Sequence, residues 1–266
     1  MKRPLLIRLL PLGLRTKAYF HFYRPLPERW KPLLRSAPLA FAPNAKMSAL
    51  VPGDIISESI AVTGFYEQVL SQRLTYAARQ GGLMVDVGAN LGYFSVLWLA
   101  SRAENRCISI EASPRNVPLL KQNIQANSME QRCEIRECAA GRADEVMNFE
   151  LGPESQSGWG GLTLGEGRGA VQVAVRRLDE IVPDDRMVDV LKVDVEGADT
   201  WVLLGAERLL RRRQIKTIFY EQNKPRMKDL GISETEAQQF LEAIGYRVNA
   251  MGDVSGEVVE YTASPS

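Results

Sequence analysis

The chain has 266 residues, of which 45% are hydrophobic and 24% are charged, and its net charge is +1. This composition excludes disorder as the overall state, and the small net charge gives no reason to expect nucleic acid as the main partner. Three cysteines without a C-x-x-C pair and a single histidine, His21, predict neither a disulfide framework nor a zinc site. We therefore expect a protein of the reducing cytoplasm.

The first 49 residues differ from the rest of the chain. Prolines recur throughout this stretch and prevent a long helix. This stretch contains a single acid, Glu28. Its basic residues are Lys2, Arg3, Arg8, Arg15, Lys17, Arg24, Arg29, Lys31, Arg35 and Lys46. Two interpretations stay open: contact with an anionic membrane surface, or packing over the following domain or against another subunit. We divide the chain into a basic extension, residues 1–49, and a second domain, residues 50–266.

The amino-terminal sequence MKRPLLIRLLPLGL is basic and rich in leucine, but it differs from a secretory signal. Arg8 and Pro11 interrupt its apolar run too early, and no small-residue cleavage site follows at the right distance. No apolar run in the chain approaches the roughly 20 residues that span a bilayer. At most, we expect peripheral contact with a membrane.

From residue 50 onward, strand-like and helix-like segments alternate, which is typical of a parallel sheet covered by helices. The first predicted strands are LMVDV at 83–87, CISIE at 107–111 and CEIREC at 133–138. Predicted helices follow the first two strands, over 93–102 and from Ser113, as N-cap, to about Asn127. VMNFEL and AVQVAVRRL then predict an added antiparallel pair, separated by a glycine-rich loop.

The second half resumes the alternation. VDVLKVDV predicts a strand, residues 200–213 a helix, and KTIFYE another strand. A capping-box pair, Ser233 and Glu236, predicts the start of a helix that ends at Gly245, and YRVNAM and EVVEYT close the chain as two strands. The sequence therefore predicts an α/β fold: a Rossmann-like, doubly wound sheet of seven main strands, with helices on both faces and an antiparallel hairpin at one edge.

A glycine turn follows the first predicted strand, where such a sheet binds its ligand. Gly88, Asn90 and Gly92 form a G-x-N-x-G turn, which differs from the G-x-G-x-x-G of dinucleotide sites and lacks the G-K-[ST] of a P-loop. We expect the two glycines to let the backbone approach the ligand. Asp86 would repel a pyrophosphate, so the turn favours a cationic ligand such as S-adenosylmethionine.

Glu111 ends the second predicted strand, about 20 residues beyond the turn, where an acidic side chain can accept hydrogen bonds from both ribose hydroxyls. An acid at this position is common to NAD sites and S-adenosylmethionine sites. Only the glycine turn distinguishes the two kinds of site. The candidate cofactor-binding residues are Asp86, Gly88, Asn90, Gly92, Tyr93, Glu111, Ala112 and Asp194.

These segments resemble a known family. MVDVGANLGYFSVLWLA, ISIEASPRNVPLLKQNI, RRLDEIV and LKVDVEGADTWVLLGA are similar, in order and spacing, to the FkbM family of S-adenosylmethionine-dependent methyltransferases over about Val51 to Glu221. The upstream DIISESIAVTGFYEQ resembles that family's lead-in with its Gly-x-x-Glu. The resemblance implies the seven-stranded class I methyltransferase sheet, S-adenosylmethionine as cofactor, and methylation of a hydroxyl on a sugar, a lipid or another natural product.

Such a reaction needs a group that takes the proton of the acceptor hydroxyl. Because the single histidine lies in the extension, the candidates are Asp194, Glu196 and Glu221, with Asp194 first and Glu196 next. Alternatively, Asp194 bonds the amino end of the cofactor and Glu196 caps the following helix. A divalent metal held by Asp194, Glu221 and Asn223 is a further, less favoured interpretation.

The loop SQSGWGG at 155–161 is the candidate acceptor-side loop, with Ser157, Trp159 and Gly160 as its site residues. Its glycines permit closure, and Trp159 can cover an apolar or sugar face. The alternative is an exposed hairpin turn in which Trp159 packs on its own strands.

The sequence is also compatible with two other functions. The rivals are a non-catalytic binding module that keeps a methyltransferase-like fold and an NAD-dependent oxidoreductase. The expected partner is a small-molecule or glycan acceptor, and a homo-oligomer is compatible with the sequence.

Overall fold

The structure of the protein, a computed structural model, describes residues 2–165 and 169–266. Its first part consists of short elements, because prolines separate them. The elements up to Met47 are α1 (Leu5–Leu9), α2 (Leu12–Ala18), a π-helical turn (Tyr19–Tyr23), a 3-10 segment (Glu28–Arg35), β1 (Ala37–Pro38) and β2 (Lys46–Met47). Strands β1 and β2 form a small antiparallel pair.

In the next part, two helices that were not predicted come before the predicted alternation of parallel strands and helices. The elements are α3 (Ile55–Thr63), α4 (Gln68–Ala78), β3 (Leu83–Val87), α5 (Tyr93–Ser101), β4 (Arg106–Ile110), α6 (Asn116–Gln125) and β5 (Cys133–Arg136). Asp54 caps α3 by accepting a 2.9 Å hydrogen bond from the backbone N–H of Ser57, and Gly64 ends this helix with a φ of 91°.

A second, smaller sheet is inserted after β5. Its strands are β6 (Ala139–Ala140), β7 (Glu145–Glu150), β8 (Gly161–Thr163) and β9 (Val171–Arg176), in the order β6-β9-β7-β8. The predicted antiparallel pair is confirmed as β7 and β9. The predicted glycine-rich loop between them contains β8, which the sequence analysis missed, and residues 166–168 of that loop lie outside the described residues.

The last part returns to the large sheet. Its elements are α7 (Leu178–Ile181), β10 (Val188–Val193), α8 (Asp199–Leu204), α9 (Glu207–Arg211), β11 (Ile215–Asn223), α10 (Lys224–Asp229), α11 (Glu236–Ala243), β12 (Tyr246–Ala250) and β13 (Val258–Pro265).

The large sheet has seven strands in the order β12-β13-β11-β10-β3-β4-β5. Strands β5, β4, β3, β10 and β11 run parallel, whereas β13 is antiparallel to both β11 and β12. Strands β4 and β5 follow β3 on one side of it, and β10 and β11 are then added on the other side of β3. The strand order therefore reverses between β3 and β10, and this confirms the predicted doubly wound α/β sheet with an antiparallel edge hairpin.

Helices cover both faces of this sheet because neighbouring residues of a buried strand point to opposite sides. Met84 on β3 packs in one apolar cluster with Trp98 of α5 and Leu120 of α6. Its neighbour Val85 packs in a second cluster with Val202 of α8 and Leu241 of α11. Both faces of β3 are thus buried, and only its carboxyl end is left for a ligand.

The predicted helix over 200–213 is two helices, α8 and α9. They separate at Gly205, where a Cβ atom would overlap the backbone carbonyl of Gly141. The close approach of these two backbones requires glycine, and the chain turns there.

Two predicted helix caps are also corrected. Ser113 contributes its backbone carbonyl, which accepts hydrogen bonds from Asn116 and Val117, and α6 has no side-chain cap bond. In α11 the capping position is Thr235, again without a side-chain cap bond, and the Ser233 hydroxyl accepts instead from the backbone N–H of Thr235 at 3.4 Å.

The extension packs against α3 through buried residues. Ile7, Tyr19 and Leu33 are completely buried in the same apolar cluster as Trp98. Glu58 of α3 accepts hydrogen bonds from the Tyr19 hydroxyl at 3.4 Å and from the backbone N–H of Leu26 at 3.1 Å. The division of the chain at residue 49 stays a prediction. In the described parts of the chain, no helix combines the length and the apolar character needed to cross a membrane.

We predict that Leu33→Ala lowers the free energy of unfolding by about 2–5 kcal/mol, because it removes a fully buried side chain from the core. Leu9→Ala is the matched control, since Leu9 is 75% exposed, and its effect should stay within about 0.5 kcal/mol. Urea unfolding of both variants measures the difference. Equal stability of Leu33→Ala and the unmodified protein would show that the extension contributes nothing to the core.

Candidate functional site

A pocket opens at the carboxyl ends of β3, β4, β10 and β11, beside the point where the strand order reverses. Its wall includes residues of the glycine turn, of α3 and of the smaller sheet. The lining residues used below are Ile56, Ile60, Glu67, Gly88, Asn90, Tyr93, Phe94, Glu111, Ala112, Phe149, Ser157, Gly158, Gly160, Leu162, Lys192, Asp194, Glu196 and Glu221.

Most of the predicted site residues meet in this pocket. Those that line it are Gly88, Asn90, Tyr93, Glu111, Ala112, Ser157, Gly160, Asp194, Glu196 and Glu221. Four predicted residues are not among the described lining residues: Asp86, Gly92, Trp159 and Asn223.

The two turn glycines are required by contacts within the protein. Gly88 has a φ of 74°, and a Cβ atom there would overlap the backbone carbonyl of Asp194. Gly92 has a φ of 82°, and a Cβ atom there would lie 2.5 Å from a methyl carbon of Leu120. The two glycines therefore let the turn pack on β10 and α6, and their approach to the ligand stays a prediction.

Asn90 connects the turn to the next strand. It adopts a left-handed φ of 49°, and its backbone N–H donates a 2.7 Å hydrogen bond to the carboxylate of Glu111. Its side-chain Oδ1 is buried and lacks a hydrogen-bond partner among the described residues. A polar atom buried without a partner is costly, so this oxygen marks a place where a ligand can donate a hydrogen bond.

Glu111 is held by two backbone donors. One carboxylate oxygen accepts from Asn90, and the other accepts from the backbone N–H of Ser113 at 2.8 Å. Burial raises the pKa of Glu111 above its usual value. Each carboxylate oxygen can accept a further hydrogen bond, so the group is fixed in position and still able to bind two hydroxyls.

Asp86 lies beneath the turn. It is completely buried, accepts a 2.6 Å hydrogen bond from the Ser95 hydroxyl, and has its second oxygen 3.5 Å from the ammonium of Lys192. The negative charge of Asp86 is compensated within the protein by the ammonium of Lys192. The prediction that Asp86 faces the ligand and selects a cation is therefore wrong: Asp86 is buried beneath the turn and is not among the described lining residues of the pocket.

Lys192, which the sequence analysis missed, joins the turn to the acids of the site. Its ammonium donates a 3.0 Å hydrogen bond to the carbonyl of Gly88 and lies 3.3 Å from a carboxylate oxygen of Asp194. Burial alone lowers the pKa of Lys192, but the carboxylates of Asp194 and Asp86 outweigh burial and raise it above its usual value. The sequence signal was a lysine inside the apolar strand VLKV, where an unpaired charge would be too costly.

The three candidate catalytic acids differ in their surroundings. Asp194 has its charge matched by Lys192, and its side chain is 28% exposed. Glu196 accepts a 2.9 Å hydrogen bond from the Asn223 amide, and burial together with the charge of Asp194 raises its pKa to about 7. Burial and the same neighbour raise the pKa of Glu221 to about 10. At neutral pH, Glu196 is thus closer than Glu221 to the midpoint of its titration.

Glu196 does not cap the following helix. The amide of Asn223 binds it, and it has a left-handed φ of 54° that directs the chain into the next turn. The buried carboxylate near α8 is Asp199, which accepts hydrogen bonds from the backbone N–H groups of Val195 at 3.4 Å and Glu221 at 3.1 Å. The helix-cap alternative for Glu196 is therefore wrong.

Glu67 is a further acid of the pocket to which the sequence analysis gave no role. It follows α3 with a left-handed φ of 40°, and burial, reinforced by Asp194, raises its pKa to about 8. The signal that identifies it is the Gly-x-x-Glu from Gly64 to Glu67. Its position in the chain, far from the strand ends, gave no reason to place it beside Glu221.

The acceptor-side loop forms part of the pocket wall. The Ser157 backbone N–H and hydroxyl donate to Asp54 at 2.8 and 3.1 Å, so the cap of α3 also fixes the loop. Trp159 is 52% exposed, and its backbone carbonyl accepts a hydrogen bond from Arg226 at 2.8 Å. Closure of this loop over an acceptor stays a prediction.

The metal interpretation finds little support in the side-chain contacts. The described residues contain no group of three or more His, Cys, Asp or Glu side chains that could hold a metal ion. The amide nitrogen of Asn223 binds Glu196, and its amide oxygen accepts from the backbone N–H of Arg226 at 3.4 Å. Both ends of the Asn223 amide are therefore already used within the protein.

Comparison with known proteins identifies the family. Residues 86–248 match the family model described as the Methyltransferase FkbM domain. This chain belongs to that family. The pocket of this FkbM domain lies at the carboxyl edge of its sheet, and the matched residues include the glycine turn, Glu111, the acids Asp194 and Glu196 after β10, and Glu221 near the end of β11.

Individual relatives match only parts of the chain. Methyltransferase 1 of Beauveria bassiana (strain ARSEF 2860) is 25% identical over 148 residues, which are 47% of this chain and 58% of that protein. The tRNA wybutosine-synthesizing protein 2/3/4 of Arabidopsis thaliana is 31% identical over 93 residues, 33% of this chain and 9% of that protein. The chain thus spans less than two thirds of the length of either relative.

Among solved structures, the chain is similar to precorrin-6y C5,15-methyltransferase from Geobacter metallireducens GS-15. The identity is 15%, the TM-score is 0.45, and the match covers 76% of this chain and 90% of that one.

Membership of the FkbM family implies S-adenosylmethionine as the methyl donor, and the residues present fit this molecule. Glu111 offers a fixed carboxylate to the ribose hydroxyls, and the Oδ1 of Asn90 lacks a partner within the described chain. Both residues line the pocket.

We predict that Lys192→Met lowers the free energy of unfolding by about 3–5 kcal/mol, because it leaves Asp86 buried without its counter-charge. The double variant Asp86→Asn/Lys192→Met should recover part of this loss. Lys216→Met is the matched control, since Lys216 pairs with Asp189 on the surface, and should cost about 1 kcal/mol or less. Urea unfolding measures these three variants and the single variant Asp86→Asn. A double variant that is the sum of its single variants would contradict the coupling of Asp86 to Lys192.

Proposed function

We propose that this chain is an S-adenosylmethionine-dependent O-methyltransferase whose acceptor is a hydroxyl on a sugar, a lipid-linked glycan or another natural product. The observation that carries the proposal is that Glu196, whose pKa is about 7, lines the same pocket as Glu111 and Asn90. A group that can bind the donor and a carboxyl that can take a proton are thus found in one cavity.

The donor side of the pocket is assigned to the turn and the end of β4. Glu111 binds the ribose hydroxyls, Asn90 accepts a hydrogen bond from the donor, and Asp194, partly exposed and paired with Lys192, attracts its amino group. When bound, S-adenosylmethionine supplies an electrophilic methyl group. The protein's part is to hold the acceptor oxygen in line with that methyl.

Glu196 is the favoured general base, ahead of Asp194, the first choice from sequence. A base works best when its pKa lies near the working pH, because enough of it is ionised and it still accepts a proton readily. The pKa of about 7 meets this condition. Asp194 forms an ion pair with the ammonium of Lys192, so a role in binding the donor suits it better than the role of general base.

A hydroxylated acceptor suits the remaining wall. With pKa values of about 8 and 10, the carboxyls of Glu67 and Glu221 are largely protonated at neutral pH and can both donate and accept hydrogen bonds. The apolar side chains of Ile56, Phe149 and Leu162 line the same cavity. Polar groups among apolar surfaces favour a ring or chain that carries hydroxyls.

Ligand-dependent stabilisation tests the donor assignment. We expect S-adenosylmethionine and its demethylated product to raise the melting temperature, and NAD to leave it unchanged. Glu111→Gln should weaken donor binding by about 10-fold or more, because it removes a charged hydrogen-bond acceptor. Glu104→Gln, an exposed glutamate before β4, is the matched control. Stabilisation by NAD alone would refute the proposal.

The pH dependence of turnover tests the base. With labelled donor and a host extract as acceptor source, kcat/KM should rise with pH through about 7, because the base must lose its proton first. Glu196→Gln should lower turnover by about 100-fold or more and leave donor affinity unchanged. Glu221→Gln is the comparison variant. If Glu221→Gln abolished turnover and Glu196→Gln did not, the base would be Glu221. Donor binding without any turnover would favour the non-catalytic module.

A further inference from the structure

The outer side of residues 5–22 carries a concentration of exposed apolar side chains. Among the described residues, fourteen large apolar side chains are exposed, and six of them stand within these eighteen positions. The six are Leu5, Leu6, Leu9, Leu14, Phe20 and Phe22. We call this set the outer apolar face.

The inner side of the same segment is fixed to the domain. Ile7 and Tyr19 are completely buried, and the Tyr19 hydroxyl bonds Glu58 of α3. Arg15 donates hydrogen bonds to the backbone carbonyls of Leu10 at 3.0 Å and Thr63 at 3.3 Å. Ile7 and Tyr19 lie next to the exposed residues in the chain and anchor the segment to the domain. The outer apolar face therefore points to the solvent.

Cations are interleaved with this face. Lys2, Arg8, Lys17 and Arg24 are exposed, and none of them takes part in an ion pair with a described residue. The guanidinium carbon of Arg24 lies 5.5 Å from the centre of the Phe20 ring, so one of these cations contacts a residue of the outer apolar face.

Acids are nearly absent from this region. Glu28 is the single acid in the first 53 residues, and it pairs with Lys31. The cations of the outer side therefore have no local counter-charge from the segment itself. A partner that carries dense negative charge would supply it.

We propose that the outer apolar face and its four cations form a docking surface for an anionic phospholipid membrane. The apolar side chains enter the boundary between headgroups and acyl chains, and the ammonium and guanidinium groups lie at the lipid phosphates. A second copy of this chain fits less well, since a symmetric contact through this face would bring the same cations together.

Co-sedimentation with vesicles tests the proposal on the full chain. We use vesicles of phosphatidylcholine alone and of phosphatidylcholine mixed with phosphatidylglycerol. The protein should bind the mixed vesicles at low salt, lose binding as salt is raised, and bind phosphatidylcholine alone at least 10-fold more weakly. Equal binding to both vesicles would overturn the proposal.

Two sets of variants separate the apolar and the charged contributions. Leu5→Ser/Leu9→Ser/Phe22→Ser and Arg8→Gln/Lys17→Gln/Arg24→Gln should each weaken vesicle binding, the second by about 100-fold at low salt. All six residues are exposed, so the melting temperature should stay unchanged.

Matched controls use exposed residues elsewhere in the chain. Tyr76→Ser/Leu164→Ser/Val254→Ser removes three other exposed apolar side chains, and Arg73→Gln/Arg79→Gln/Arg247→Gln removes three other exposed cations. Controls that weaken binding as much as the test variants would overturn the assignment to this face. So would light scattering that shows a dimer of this chain which Leu5→Ser/Leu9→Ser/Phe22→Ser dissociates.

Discussion

The ammonium of Lys192 is the group on which both the glycine turn and the acidic pocket depend. It binds the turn through the carbonyl of Gly88, and it compensates Asp86 below the turn and Asp194 beside it. Two strands, β3 and β10, are thereby joined at the point where the strand order reverses. Without this cation, the carboxylates of Asp86 and Asp194 would lack the counter-charge that they share.

The same compensation explains the unequal acids of the pocket. The ammonium of Lys192 pairs with Asp86 and Asp194. Glu67, Glu196 and Glu221 have no such partner among the described residues; they are buried, and they also lie near the negative charge of Asp194. Their pKa values are spread from about 7 to about 10 as a result. The pocket can therefore contain carboxyl groups that exchange protons at different pH values, without a histidine.

Helix α3 connects this pocket to the extension. Ile56 and Ile60 line the cavity, and Asp54, at the start of the helix, fixes the acceptor-side loop through Ser157. The opposite contacts of α3 hold the extension, through Glu58 and Tyr19. One helix thus contacts both the site of the proposed reaction and the segment that carries the proposed membrane surface.

The sequence by itself determined the sheet, its direction and the edge at which the pocket opens, because strand and helix periods, the glycine turn after β3 and the acid that follows β4 are local patterns. It also identified Glu111, Asn90 and the acids Asp194, Glu196 and Glu221, which line one pocket. It could not reveal that Asp86 is neutralised by Lys192, a residue 106 positions later in the chain, nor that Glu67 joins Glu221, since such contacts depend on how distant segments pack. Only the tertiary structure decided these roles, because burial and neighbouring charge set the pKa of a carboxyl, and neither is encoded locally.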